Sequence, residues 1–181
     1  MSIKPLIYTA LFPLLLGSSL SAYAEDEHHH HEHGAHEHGI AEMDVAIAGK
    51  QLMIDLESPA HNLFGFEHAP QTKQQKELFE QKRQQLRKGA PFILPQAAGC
   101  RLVEREDNLD ELQHKTGGHS DLDFEWQFEC ADTAKLNVID AKPLFASWPH
   151  LLKLRVEWLR GGVQSAQTLD KHATELRLTS E

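Results

Sequence analysis

A chain of 181 residues with 18 Lys and Arg against 27 Asp and Glu has no basic surplus. That disfavours nucleic acid or an anionic membrane as its partner, since both are recognised through a basic face. Cysteine is nearly absent: Cys100 and Cys130 are too few for a disulfide-built mini-protein or a cysteine-rich zinc fold. After the N-terminus no segment approaches the ~18 consecutive apolar residues of a membrane-spanning helix. Several catalytic signatures are missing as well. His31-Glu32 is followed by Ala35 and His36-Glu37 by Ile40 where H-E-x-x-H needs its second histidine, and neither G-x-S-x-G nor G-x-x-x-x-G-K-[ST] occurs. These absences point away from catalysis, and an exported metal-dependent enzyme is kept only as an alternative.

The first 24 residues have a short positive start, an apolar run from Leu6 to Leu16 and an Ala22-Tyr23-Ala24 ending. This is the pattern of a cleaved secretory signal. The mature protein is expected in the periplasm, with no membrane anchor after cleavage. In that oxidising compartment two solitary cysteines most economically form one disulfide, Cys100 to Cys130. The alternative is a pair of thiolate metal ligands, and neither cysteine sits in a C-x-x-C.

What the chain does have is histidine, 13 in all, and seven of them lie between Glu25 and Gly39 in E-D-E-H-H-H-H-E-H-G-A-H-E-H-G. This segment has five acids, no base and nothing apolar to bury beyond one alanine, so it is expected to be disordered without a ligand. Neutral imidazole suits Zn, Cu and Ni, and His28, His29, His30, His31, His33, His36 and His38 concentrate it without a preformed geometry. The H-x-H-x-x-H-x-H array from His31 to His38 is flexible enough to wrap four nitrogens around zinc. Metal binding competes with protons, and protonation of the seven rings would take the tail from a charge of −5 to +2. The donor set alone does not separate Zn²⁺ from Ni²⁺ or Cu²⁺.

Residues 40 to 181 carry the apolar pattern of a single α+β domain, mostly antiparallel β-sheet with one main α-helix. Met43, Val45 and Ile47, then a Gly49-Lys50 turn, then Leu52, Ile54 and Leu56 read as a hairpin with one buried face. Phe64, Gly65 and Phe66 are expected in a loop running to Pro70. Thr72 with Gln75 is a capping-box pattern, and a helix is expected from about Lys73 to Lys88. Cys100 begins an expected strand through Glu104, residues 105 to 120 read as a loop, and Leu122, Phe124, Trp126 and Phe128 mark the clearest strand. Leu136 to Ile139 looks extended. Leu152 to Trp158, a Gly161-Gly162 turn and Val163 to Leu169 form a second hairpin pattern, and Leu176 and Leu178 mark a last short strand.

Several stretches carry a family resemblance: E-H-G-A-H-E-H-G running into I-A-E-M-D-V-A-I-A-G, then L-E-S-P-A-H-N-L-F-G-F-E-H-A-P, L-P-Q-A-A-G-C, G-H-S-D-L-D and F-x-C at Cys130. Together they resemble the zinc-regulated periplasmic ZrgA-like family of Gram-negative bacteria. The resemblance implies zinc binding and hand-over toward a periplasmic component of a zinc importer. Relatives carry a long His/Asp-rich insert where this chain has only residues 107 to 120. At that position His119, with His114, Asp121 and Asp123 nearby, forms either a partial site or a solvated loop. His68, beside Glu67 and two phenylalanines, reads first as structural and second as a weaker metal ligand. His61, His150 and His172 are isolated in sequence and are assigned no role. The expectation is a zinc-binding buffer or delivery protein, with a nickel or copper scavenger as the alternative.

Overall fold

The structure, a computed structural model, describes residues 37–178. The alternating hairpin forms as its pattern requires. β1 (Ile40–Ala48) and β2 (Gln51–Pro59) pair antiparallel across Gly49-Lys50, with Met43 opposite Leu56, Val45 opposite Ile54 and Ile47 opposite Leu52. Period-two alternation puts all six of these side chains on one face, where they are buried.

The rest of the sheet grows from this hairpin. β3 (Cys100–Asp107) pairs antiparallel with β4 (Asp121–Cys130), and β4 with β2, so that Leu52, Ile54 and Leu56 face Phe128, Trp126 and Phe124. On the other side β1 runs parallel to β6 (Lys153–Arg160), which pairs antiparallel with β7 (Val163–Asp170). The six-stranded order is β3-β4-β2-β1-β6-β7. β5 (Val138–Asp140) and β8 (Glu175–Arg177) form a separate two-stranded ladder. Among the described residues this is the expected α+β class.

One face of the large sheet closes on the core. Leu154, Val156, Trp158, Phe124 and Trp126 join the hairpin's apolar face, and Phe79, Leu86 and Leu144 from the helices, with Trp148, complete the same cluster. Each such large side chain contributes roughly 1.5–3 kcal/mol through removal from water. The main helix, α2 (Lys73–Arg87), follows α1 (Ala60–Phe64) and starts at the expected capping box, with the Thr72 hydroxyl accepting from Gln75 N and the Gln75 side chain accepting from Thr72 N. Its thin apolar stripe, Phe79 and Leu86, is its buried part. Cys100 and Cys130 are opposite each other at one end of the β3–β4 ladder and form the expected disulfide.

Four local expectations change. The stretch after β2 opens with helix α1 rather than a loop, ended by Gly65 at φ 78°. β3 extends to Asp107 rather than ending near Glu104, because a register shift between Leu102 and Glu104 breaks its alternation and hides the strand from a period-two reading. Inside the expected 105–120 loop lies α3 (Leu109–Leu112), whose two leucines are buried. α4 (Lys142–Ser147), with Pro143 in its first turn, was not expected at all. Helices of four to six residues are too short for a 3.6-residue period to register.

Candidate metal centre

Sheet register brings four chain segments to one end of the sheet. β1 starts at Ile40, β2 ends at Pro59, β4 starts at Asp121 and β6 starts at Lys153; Pro59 is opposite Asp121 and Ile40 opposite Lys153. A histidine lies two or three residues outside each of these ends: His38, His61, His119 and His150. The fold converts four positions far apart in sequence into neighbours.

The last residues of the expected tail are held in this place. Gly39 N donates to Asn62 Oδ1 at 2.7 Å, and Asn62 Nδ2 donates to Ile40 O at 2.8 Å and to Ser58 Oγ at 2.9 Å. Asn62 is fully buried, so this side chain ties α1 to the entrance of β1. Gly39 O accepts from Leu152 N and Lys153 N at 2.8 and 2.9 Å. φ at Gly39 is +88°, a left-handed conformation that favours glycine, and a side chain there would also have to displace the exposed Leu152 side chain. His38, next to this anchor, belongs to the folded surface. The other tail histidines, His28, His29, His30, His31, His33 and His36, lie outside the described residues.

Glu67 is the hub. Its carboxylate lies 3.0 Å from His38 Nε2 through Oε1 and 2.6 Å from His119 Nδ1 through Oε2. The Glu67 side chain is 11% exposed, against 47% and 68% for the two histidines, so one partly desolvated carboxylate holds two accessible imidazoles. Its backbone is fixed by Ser120, whose hydroxyl donates to Glu67 O at 2.7 Å while Ser120 O accepts from Ala60 N at 2.8 Å. One donor atom from each of His38, Glu67 and His119 lies within 4.8 Å of the others. Zinc with donors at about 2.0–2.2 Å draws them closer than that on binding. Two imidazoles and a carboxylate form a borderline N/O set that suits zinc and leaves a fourth position open.

Two further histidines flank the group. His61 stacks on His38 with ring centroids 4.2 Å apart and planes 5° from parallel, and His150 lies 4.9 Å from His61. Burial first, then the neighbouring His38 and His150 imidazoles, hold the His61 pKa below its ordinary value against an opposing pull from Glu67. His61 is therefore a neutral imidazole near pH 7.

The sequence candidates separate accordingly. The structure brings His38 and His119 together, whereas His114, Asp121 and Asp123 join no comparable group among the described residues. His119 turns instead to Glu67. His114 is exposed at the end of α3, and Asp123 accepts from Asn108 Nδ2 at 2.7 Å. His68 Nδ1 lies 2.8 Å from Ala69 O and its ring stacks on Phe66. Sequence reasoning missed Glu67, His61 and His150. The signal available for them was position: Glu67 and His61 both fall in L-E-S-P-A-H-N-L-F-G-F-E-H-A-P.

Residues 35–178 match the family model described as ZrgA family zinc uptake protein. No curated protein matches the chain significantly.

Proposed function

Because the chain belongs to the ZrgA family of zinc uptake proteins, we propose that it is a periplasmic zinc-binding protein that captures Zn²⁺ and passes it on, without catalysis. Its role lies in zinc uptake. The observation that carries the finer reading is the convergence of His38, Glu67 and His119 at the end of the sheet. The division of labour follows the sequence: residues 1–24 export the chain, residues 25–39 form a histidine-rich capture tail, and residues 40–181 are the α+β domain that holds the ion.

His38 belongs to both parts. It is the last imidazole of the tail and a donor of the folded group, so an ion caught by His28 to His36 reaches the domain by exchanging ligands along one continuous chain. A site with three donors and accessible histidines exchanges faster than a closed four-ligand cage. That suits transfer to a stronger site on an importer component better than permanent storage. The oxidising compartment also fits the Cys100–Cys130 disulfide.

Calorimetry on the mature protein tests this reading. Glu67→Gln and His119→Ala are each expected to lower the affinity of the tightest zinc site by roughly tenfold or more. Replacing His28, His29, His30, His31, His33 and His36 by alanine is expected to lower the number of ions bound and to leave that tightest site. Unchanged binding in Glu67→Gln and His119→Ala would refute the folded centre. Competition among Zn²⁺, Ni²⁺ and Cu²⁺ decides between zinc delivery and scavenging of the other two.

A further inference from the structure

The His38–Glu67–His119 group does not use all the imidazole gathered at this end of the sheet. His61 continues from His38 by face-to-face stacking, and His150 continues from His61, so that three rings form a row with centroid spacings of 4.2 and 4.9 Å. His61 Nδ1 is buried and has no hydrogen-bond partner among the described residues. The His150 ring has no hydrogen-bond partner there either, although its backbone N–H is fixed by Asn62 O at 3.3 Å. Buried polar nitrogen is ordinarily paired, so the His61 Nδ1 atom calls for a partner, and beside exposed imidazoles a bound cation is one that fits.

The space beside His150 is also reserved. Gly65 ends α1 at φ 78°, and a side chain there would meet His150 Nε2 at 2.9 Å, so the glycine both turns the chain and leaves that nitrogen uncovered. His61 donors fall outside the set of atoms that converge within 4.8 Å on Glu67. They therefore do not simply add a fourth ligand to the first ion as the rings stand.

We infer that His61 and His150 hold a second cation position, adjoining the His38–Glu67–His119 centre and filled after it. The inference rests on the zinc-binding reading above and extends it from one ion to two. Its ligand class is a borderline divalent transition metal, Zn²⁺ above all, because two imidazole nitrogens with no carboxylate between them offer nothing to Ca²⁺ or Mg²⁺. Two protein ligands leave the remaining coordination to water, and the nearby first ion repels the second. Both effects make the second position the weaker one. An ion there is poised to enter the stronger position when that one empties, or to leave first toward an acceptor.

Diffraction from crystals of the mature full-length protein grown with zinc, recorded at the zinc absorption edge, tests this. Two anomalous peaks are expected at this end of the sheet, apart from any on the tail, one against His38, Glu67 and His119 and one against His61 and His150. A peak only at the first group, or a single ion with His61 as its fourth ligand, overturns the second position and leaves the zinc-binding reading standing. No peak at the first group refutes that reading itself. In solution His150→Ala, an exposed substitution, is expected to remove one bound zinc while leaving the tightest affinity within twofold of the parent protein. Ring ¹⁵N signals of His61 are expected to shift only after those of His119 have saturated. Simultaneous saturation, or an unchanged zinc count in His150→Ala, overturns the inference.

Discussion

Asn62→Ala tests how the domain holds its metal centre. The Asn62 carboxamide is fully buried and makes three hydrogen bonds, to Gly39 N, Ile40 O and Ser58 Oγ. Truncation leaves the Gly39 N–H and the buried Ser58 hydroxyl without this partner. At about 1–3 kcal/mol for each unsatisfied buried group, and with water able to reach Gly39 from the surface, the expected cost is about 2–4 kcal/mol. For a domain of this size that lowers Tm by roughly 5–15 °C. Urea unfolding followed by tryptophan fluorescence reads the change, which should appear as a lower midpoint with an unchanged slope. The same variant is expected to weaken the tightest zinc site by about tenfold, because His38 adjoins the backbone that Asn62 pins. A cost below 1 kcal/mol would refute the burial argument. A large cost with zinc affinity intact would refute the claim that Asn62 positions His38.

The open face of the sheet and the disulfide yield two further expectations. Asp55 is opposite Asp44 on β1 and Glu125 on β4, and burial first, then Glu125 and Asp44, raises its pKa above the ordinary carboxylate value. A raised folded-state pKa means that the native protein holds its proton longer than the unfolded chain, so stability is lost as pH rises through that pKa. Asp55→Asn is therefore expected to be more stable than the parent at pH 7, by about 0.2–1 kcal/mol from relief of like charges, with the gap closing below about pH 4; a gap that persists at pH 3 would contradict this. Reduction of Cys100–Cys130, or its replacement by two serines, is expected to cost about 3–4 kcal/mol through the loop it closes. An unaltered urea midpoint after reduction would show that the β3–β4 ladder holds this end without it.

Much of the fold was legible because its buried face is written with period two. Met43, Val45, Ile47, Leu52, Ile54 and Leu56 announce the hairpin, and Leu122 to Phe128 announce β4, since a strand with one dry face has no other way to place its apolar residues. Thr72 and Gln75 marked the start of α2 for an equally local reason, the backbone N–H groups that a helix N-terminus must satisfy. Where the signal was interrupted, the reading failed. The register shift in β3 broke its alternation, and α1, α3 and α4 are too short to show any period.

The metal centre divides along the same line. Residue order alone announces a histidine-rich segment suited to borderline metals, because composition and spacing fix its ligand supply. It places His61 and Glu67 in one stretch but gives no reason to group them with His119 and His150, up to 89 positions away in the chain. Their meeting depends on register. The antiparallel pairing of β2 with β4 and the parallel pairing of β1 with β6 bring four strand ends together, and a slip of one residue would turn the flanking side chains away. Long-range pairing is a property of the whole sheet, set by which apolar faces close on one core, and no local stretch of sequence contains it.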